Sequence, residues 1–292
     1  MSESRRFVDL HTHSTASDGT LSAAEVIARA DAAGLAAVAL TDHDTTAGLA
    51  EARAAAAGRP DLTFVPGVEV SARFVGGTMH ILGLGVDESA PALRELLASF
   101  VEARRERNPK IVAKLQALGL DVDMDDVLAA AERFEPGKPH IIGRMHIAEA
   151  LRVKGCAESI QDAFGRFLRD GGPAFVDKER LEPHQVTEAL AACGAVAVLA
   201  HPVQLRLGDG QELENCVRRL AARGLAGIEV YHSDHTPENT RRYLEIANRL
   251  GLAVSGGSDF HGLAKPGVAI GLPRVPLAAV TDPLAKRIHG SG

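Results

Sequence analysis

The sequence has no tryptophan, and aromatic residues make up only 4% of its 292 positions. So few rings argue against a stacking platform for long single-stranded nucleic acids. The three cysteines lie far apart and form no CxxC pair, which indicates a reducing compartment rather than a disulfide framework. No apolar run approaches the roughly 18–20 residues of a membrane helix, and the opening MSESRRF lacks the apolar stretch of a signal peptide. We therefore expect a soluble, cytoplasmic protein with no membrane partner.

An excess of positive charge is also missing. The formal net charge is −6, so the surface as a whole does not match the electrostatic footprint of a protein that binds duplex nucleic acid. An anionic substrate would have to be met by a few local cationic residues or by metal ions.

Short strand-like runs alternate with alanine-rich amphipathic stretches over residues 1–90 and again over 180–292. This alternation is typical of βα units, and it predicts a parallel sheet with enough units to close a barrel. Residues 91–179 show helical patterns without a strand-like run, and Pro109 predicts a break or kink in the first helix there. The predicted fold class is α/β, a β/α barrel with a small helical insertion domain.

Histidines and carboxylates fall at or near the ends of the predicted strands. They are His11, His13, His43, Glu69, His80, His201, His232, Asp259 and His261, with Asp18 in the loop after the first strand. The carboxyl ends of barrel strands surround one mouth, so residues distant in sequence converge there. A single HxH pair is weak evidence, but so many imidazoles and carboxylates beside apolar strands would carry a large desolvation cost without cations. The sequence therefore predicts a metal centre.

The ligand types limit the choice of metal. Imidazole and carboxylate ligands without thiolate favour Mn²⁺, Fe²⁺, Zn²⁺ or Mg²⁺, and the candidate ligands outnumber what one ion takes. We expect two or three divalent ions of these kinds. Such clusters activate a water molecule and stabilise an in-line displacement at phosphorus.

Six ordered motifs, HTHSTASDG, TDHD, GVEVS, HILGLG, LAHP and GSDFH, resemble those of the PHP (polymerase and histidinol phosphatase) metallophosphoesterases of the amidohydrolase superfamily. The resemblance covers nearly the whole chain and implies a distorted seven-stranded barrel. It also implies three metal sites. Their ligands would be His11, His13, Glu69 and Asp259 for the first, Glu69, His80 and His201 for the second, and Asp18, His43 and His261 for the third.

Within the family, GGPAFV, GIEVYHSDHT and the helical insertion look like the 3′,5′-nucleoside bisphosphate phosphatases. That resemblance implies removal of the 3′-phosphate, for example from phosphoadenosine 5′-phosphate to give AMP, by a metal-bridged hydroxide. The leaving 3′-oxygen would take a proton from His201, His232 or Asp259, between which the sequence does not choose. If the third site holds no ion, Asp18, His43 and His261 would face the substrate phosphate directly.

Discrimination among phosphate esters must come from outside the metal ligands, and the insertion is the expected source. Candidate substrate contacts are Arg104, Arg107, Asn108, Arg144, His146 and Lys178. Arg104 and Arg107 are spaced i, i+3 and could clamp a second phosphate, although a solvated helix face is an equal alternative for either residue. Arg144 and His146 lie near a helix start, where free N–H groups favour an anion.

Three alternatives stay open at this point. The first is a 5′-3′ exoribonuclease acting on short 5′-phosphorylated oligonucleotides, and the second is a phosphatase of a small metabolite such as histidinol phosphate. The third is a non-catalytic nucleotide-binding module. The expected partner is a small nucleotide or a short oligoribonucleotide, and the sequence leaves the oligomeric state open.

Overall fold

A computed structural model describes residues 6–134, 142–169, 171–176, 181–208 and 210–289. The chain divides into two compact units. Unit 1 comprises Met1–Leu97 with Leu181–Gly292, and unit 2 comprises Ala98–Arg180. Unit 2 covers most of the segment predicted as the insertion, and a contribution of this segment to substrate binding stays a prediction.

Strands and helices alternate along most of unit 1. The strands are β1 Phe7–Asp9, β2 Ala37–Leu40, β3 Thr63–Ala72, β4 Met79–Leu84, β5 Val196–Leu199, β6 Leu225–His232, β7 Ala253–Gly257 and β8 Val275–Pro276. The helices of the whole described chain are α1 Ala23–Ala32, α2 Leu49–Ala56, α3 Pro91–Ala117, α4 Met124–Phe134, α5 Arg144–Val153, α6 Ile160–Ala163, α7 Pro183–Ala192, α8 Gly210–Ala221, α9 Pro237–Leu250 and α10 Leu284–His289.

Seven strands form a nearly closed barrel. Along the sheet the strands follow the order β7-β6-β5-β4-β3-β2-β1-β8. The chain just after β1 returns to β7, because the Leu10 N–H donates to the Gly256 carbonyl at 3.1 Å. Strand β8 adds to the outside of this ring by pairing antiparallel with β1. The distorted barrel predicted from the sequence is thus confirmed.

The prediction of a parallel sheet is wrong at two strands, β4 within the barrel and β8 outside it. Strand β4 runs antiparallel to both β3 and β5, since β3 and β4 are joined by a short hairpin turn and no helix lies between them. Reversal puts the first residues of β4 at the same end as the last residues of β3, with His80 paired to Ser71. A histidine at the start of a strand therefore reaches the mouth of the barrel.

The interior of the barrel is apolar below this mouth. One buried cluster takes side chains from six barrel strands, from β8 and from α10, which places it inside the ring. It comprises Val8, Leu10, Ala37, Ala39, Val65, Leu82, Leu84, Val196, Val198, Ala200, Ala253, Val275, Val280, Leu284 and Ile288. This core holds the strands in register, and so it fixes the position of every residue that follows a strand.

Helices of unit 1 have clear boundary signals. Ser22 accepts from the Glu25 N–H and the Glu25 side chain accepts from the Ser22 N–H, a capping box that begins α1. Thr236 and Asn239 form the same reciprocal pair at the start of α9. That helix ends at Gly251, whose φ of 65° suits a residue without a β-carbon.

Unit 2 is helical and has a core of its own. Buried residues of α3, α4 and α5 pack together, among them Ile111, Leu115, Val127 and Leu151. Pro109 does not break the helix: α3 continues through it to Ala117 and buries Ile111 and Leu115 immediately afterwards, and a kink at Pro109 stays a prediction. Among the described residues, no helix combines the length and the apolar character needed to cross a membrane.

Candidate metal centre

The backbone turns sharply where the ligand candidates leave the strands. His201 follows β5 with a φ of 23°, and Asp259 follows β7 with a φ of 57°. Both values lie in a region that non-glycine residues rarely adopt, and such strain persists only where the surrounding structure enforces it. The Asp259 N–H donates to the His11 carbonyl at 2.9 Å, which ties the end of β7 to the first histidine.

The first group consists of His11, His13, Glu69 and Asp259, all of them buried. His11 Nε2 lies 3.3 Å from Glu69 Oε2 and 3.4 Å from Asp259 Oδ1. His13 Nε2 lies 3.2 Å and 3.3 Å from the same two oxygens. Two imidazole nitrogens and two carboxylate oxygens therefore surround one point.

The second group shares Glu69 with the first and adds His80 and His201. Glu69 Oε1 lies 2.9 Å from His80 Nδ1 and 2.9 Å from His201 Nε2. The two imidazole nitrogens are 3.3 Å apart. The two oxygens of one buried carboxylate thus serve neighbouring groups, the arrangement expected of a ligand that bridges two ions.

The third group is Asp18, His43 and His261. Asp18 Oδ1 lies 3.2 Å from His261 Nε2, whereas Asp18 Oδ2 lies 3.8 Å from His43 Nε2. His43 Nδ1 also lies 3.0 Å from Glu69 Oε2, and His13 Nδ1 lies 3.8 Å from Asp18 Oδ1. The third group is therefore looser than the other two, and it adjoins them through His13 and His43.

Unsatisfied polar atoms show that this cluster fits cations. Buried atoms here without a hydrogen-bond partner are His11 Nε2, His13 Nδ1, His13 Nε2, His43 Nδ1, Glu69 Oε2, His201 Nδ1 and His232 Nε2. Leaving a buried polar atom unpaired costs about 1–3 kcal/mol, so a concentration of them needs a partner. Ligands about 2.0–2.2 Å from one ion, in tetrahedral or octahedral array, lie roughly 2.8–3.6 Å from each other. The contacts of the first and second groups fall in that range.

The electrostatics point the same way. Burial alone would lower the pKa of His11, but the carboxylates of Glu69, Glu229 and Asp259 raise it well above its usual value. Burial opposes the same trend at His13, where Asp259 and Glu69 raise the pKa to about 10. Metal binding at these nitrogens must displace the protons that the carboxylates retain there.

His43 and Glu69 shift in the opposite direction. Burial lowers the pKa of His43 to about 4, with repulsion from His13 and His80 adding to the effect. Although burial would raise the pKa of Glu69, the histidines around it, His43 first among them, hold it well below its usual value. Glu69 is therefore an anion and His43 a neutral imidazole, the forms in which each can bind a cation.

Sequence reasoning missed some polar residues that support the cluster. Glu229, in β6, contacts His11 and His201, and its signal was an acidic residue inside the apolar run GIEVY. Lys265 lies 2.9 Å from Asp259 Oδ2, and nothing in its loop sequence indicated this. By contrast, the sequence itself favours Asp42, which flanks His43, as a structural partner, and Asp42 supports the loop that carries Asp18 by accepting from the Ser14 and Ser17 hydroxyls at 2.7 and 2.6 Å.

The predicted substrate contacts of unit 2 lie in two places. Arg107 and Asn108 are buried; the Arg107 guanidinium donates to Asn108 Oδ1 at 3.1 Å, and Asn108 Nδ2 donates to the Ile142 carbonyl at 2.9 Å. Arg104 is half-buried one turn earlier in α3. These contacts make Arg107 and Asn108 part of the packing of their own unit.

Arg144 and His146 begin α5. The Arg144 guanidinium donates to the Leu168 carbonyl at 3.0 Å, and His146 Nδ1 accepts the Gly143 N–H at 3.0 Å, which caps the helix. Both side chains thus have structural partners. Lys178 lies outside the described residues.

Residues 9–223 match the family model described as the PHP domain. The chain belongs to the PHP family. Because the match spans most of the sequence and includes every strand from β2 to β5, the barrel described above is the PHP barrel.

Three curated relatives are similar over nearly their whole length. A 3′,5′-nucleoside bisphosphate phosphatase of Chromobacterium violaceum is 38% identical over 90% of this chain and 90% of its own. A 5′-3′ exoribonuclease of Haemophilus influenzae is 35% identical over 87% and 89%. A phosphoribosyl 1,2-cyclic phosphate 1,2-diphosphodiesterase of Eggerthella lenta is 36% identical over 87% and 94%.

A solved structure from Bifidobacterium adolescentis, assigned as a metal-dependent phosphoesterase, superposes with a TM-score of 0.78 at 32% identity and covers 95% of this chain and 97% of that one. The three curated relatives all cleave phosphate esters by name, although each name gives a different substrate. This PHP protein is accordingly a metal-dependent phosphoesterase whose His/Asp/Glu cluster can bind metal ions.

Proposed function

We propose that the protein is a 3′,5′-nucleoside bisphosphate phosphatase that releases the 3′-phosphate. The observation that carries the proposal is the convergence of three adjoining sets of candidate ligands in a chain 38% identical to a phosphatase of that name across 90% of both lengths. Such convergence also argues against a non-catalytic module, which would have no need to keep these ligand positions.

In this proposal the first group holds one divalent ion, the second holds another through the shared Glu69, and the third either holds a further ion or faces the phosphate. Divalent ions at such a centre supply Lewis acidity toward phosphoryl oxygens and lower the pKa of water. Manganese is the ion we propose first, ahead of Fe, Zn and Mg.

His232 is the residue we favour for donating a hydrogen bond to the leaving 3′-oxygen, and the source of its proton stays open among His201, His232 and Asp259. The Asp234 N–H donates to His232 Nδ1 at 3.0 Å, so a neutral His232 carries its proton on Nε2. His232 Nε2 lies 3.5 Å from Asp259 Oδ2 and has no hydrogen-bond partner. His201 and Asp259, the other two candidates, already direct ring or carboxylate atoms at the ligand groups.

Specificity for a nucleotide that carries a 5′-phosphate is proposed to come from unit 2, with Arg104 among the candidate contacts. Arg107, Asn108, Arg144 and His146 remain proposed substrate contacts, but their own hydrogen bonds already give them a packing role. Lys178 remains a proposal from the sequence alone.

A substrate panel with added Mn²⁺ tests the proposal. A 3′,5′-bisphosphonucleotide should be hydrolysed with a kcat/KM at least about tenfold above that of the matching 3′-monophosphate, since a second phosphate contributes binding energy. Phosphate release and the nucleoside 5′-monophosphate product are measured together. Equal kcat/KM for the two substrates would show that the protein does not recognise the 5′-phosphate, and would contradict the proposal.

The second candidate is a 5′-3′ exoribonuclease, which the Haemophilus influenzae relative favours. Short 5′-phosphorylated oligoribonucleotides belong in the same panel, and stepwise release of mononucleotides would support this candidate. Turnover of histidinol phosphate ahead of both nucleotides would support a small-metabolite phosphatase instead.

A further inference from the structure

Glu229 is a buried carboxylate outside the three ligand groups described above, although its oxygen lies within 4.8 Å of ring nitrogens of His11 and His232. It lies in β6 among Ile228 and Val230, and its side chain is inaccessible to solvent. Burying a carboxylate is costly unless it is paired and hydrogen-bonded. A residue of this kind in the middle of an apolar strand therefore requires an explanation in its contacts.

The contacts of Glu229 reach two different ligand groups. Its Oε1 accepts from His11 Nδ1 at 3.1 Å, and its Oε2 accepts the His201 backbone N–H at 2.7 Å. His11 belongs to the first group and His201 to the second. Glu69 is a member of both groups, whereas Glu229 belongs to neither and contacts one histidine of each.

The contact with His11 determines which nitrogen is free. A carboxylate only accepts hydrogen bonds, so the Nδ1 that faces Glu229 carries the proton. The other nitrogen, Nε2, lies 3.3 Å from Glu69 Oε2 and 3.4 Å from Asp259 Oδ1. In a neutral ring held this way, the Nε2 lone pair points into the first group, which is the tautomer that a metal ion requires.

The contact with His201 supports a strained backbone. His201 has a φ of 23° and a ψ of 67°, and this turn directs its Nε2 to within 2.9 Å of Glu69 Oε1. A short hydrogen bond from its N–H to a buried carboxylate offsets part of the cost of that conformation. Loss of the bond would let the residue relax and move its imidazole.

We propose that Glu229 is a positioning residue for both ligand groups, holding His11 as the Nε2-binding tautomer and His201 in its strained turn. The proposal rests on the proposed metal-binding role of the two groups, and it does not depend on which phosphate ester is cleaved. Its effect is expected first in metal affinity and only then in turnover.

Glu229→Gln is the informative variant because it keeps the shape and changes the hydrogen-bonding pattern. Its amide oxygen can still accept the His201 N–H, but its NH₂ then faces His11 and moves the ring proton to Nε2. We expect the Kd for Mn²⁺, measured by competition with a chelating indicator, to rise by roughly 10–100-fold, as for other residues that orient metal ligands.

The matched control is Glu149→Gln, which also removes a buried carboxylate, in this case one paired with Arg152. It should leave the Kd for Mn²⁺ within about threefold of the wild type, because Glu149 is outside the described ligand groups. A Glu229→Gln protein with the same Kd as the control would overturn the proposal. A wild-type protein that binds no divalent ion would instead refute the proposed metal centre itself.

A measurement on the wild-type protein tests the proposal even if the Glu229→Gln variant does not fold. In the wild type loaded with diamagnetic Zn²⁺, ¹⁵N NMR should show His11 with a protonated Nδ1 and a metal-bound Nε2. A protonated Nε2 on His11 would contradict the proposal whatever the variants do. Glu229→Asp, which keeps the charge and withdraws the carboxylate by one methylene, should retain this ring pattern while binding Mn²⁺ more weakly.

Discussion

The sequence predicts metal ligands at the mouth of the barrel and substrate contacts in the helical unit 2, and the polar residues of the two regions have different kinds of partner. At the mouth, residues from seven places in the sequence meet with buried nitrogen and oxygen atoms that have no other partner. In unit 2, the predicted phosphate contacts Arg107 and Arg144 donate to neighbours of their own unit. A short side chain at a strand end has few directions to point, whereas an arginine on a helix can fold back onto its surroundings.

Removal of the metal is expected to have the largest effect, because it tests whether the groups at the mouth hold an ion that the reaction needs. Chelation with EDTA should abolish phosphate release, and Mn²⁺ should restore it, because within the described part of the chain the groups that match a cation all lie at the mouth. Metal that binds only the folded state should also raise the Tm, by an amount equivalent to about 2.7 kcal/mol at a hundredfold excess over Kd. Full activity after exhaustive chelation would contradict the metal-dependent mechanism.

The next largest effect is expected at Glu69. Glu69→Gln replaces one carboxylate oxygen by an NH₂ group, which cannot accept a hydrogen bond from the histidines around it. Because Glu69 is shared by two groups, the loss of kcat/KM should exceed the roughly 10–100-fold typical of residues that only support ligands. Glu188→Gln, an exposed glutamate of α7 paired with Arg223, is the control and should keep wild-type turnover.

Substitution of Arg107 tests whether the polar residues of unit 2 stabilise that unit. Arg107→Ala should lower the free energy of unfolding by about 1–3 kcal/mol, because it removes a buried guanidinium and leaves Asn108 without that donor. Urea denaturation measures the change, with the exposed Arg105→Ala expected to stay within about 0.5 kcal/mol. A stable Arg107→Ala protein with a raised KM would assign Arg107 to the substrate instead.

The smallest effect is expected at Arg104. Arg104→Ala should raise the KM for a 3′,5′-bisphosphonucleotide by about three- to tenfold and leave kcat unchanged, since a contact to the distant phosphate contributes equally to ground and transition states. The KM for a 3′-monophosphate should not move. Arg105→Ala serves again as the matched control, and identical KM values for the two variants would leave the 5′-phosphate without a partner in this helix.

The barrel and the convergence of the candidate ligands at its mouth could largely be predicted from the sequence because both depend on backbone periodicity. Strand-like runs located the ends of the strands, and the ends of strands located His11, His43 and His201. The reversed β4 was readable in principle, since Gly76 and Gly77 separate two strand-like runs by only a turn. The alternation of strands and helices elsewhere in the barrel concealed it.

Contacts made through long side chains or irregular backbone could not be read in the same way. Lys265 reaches Asp259 from an irregular loop, where no period constrains its direction. His201, in its left-handed turn, donates its N–H to Glu229, a residue of another strand. Such contacts follow from the tertiary structure, and no local pattern in the sequence predicts them.

The hairpin of β3 and β4 also bears on how the centre assembles. It brings Glu69 and His80 together through a contact that is local in sequence, whereas the contact between Glu69 and His201 spans 132 positions and waits for the chain on both sides of unit 2. Contacts of low sequence separation close at a smaller entropic cost and tend to form early. Glu69 and His80 can therefore lie together before the second half of the barrel folds.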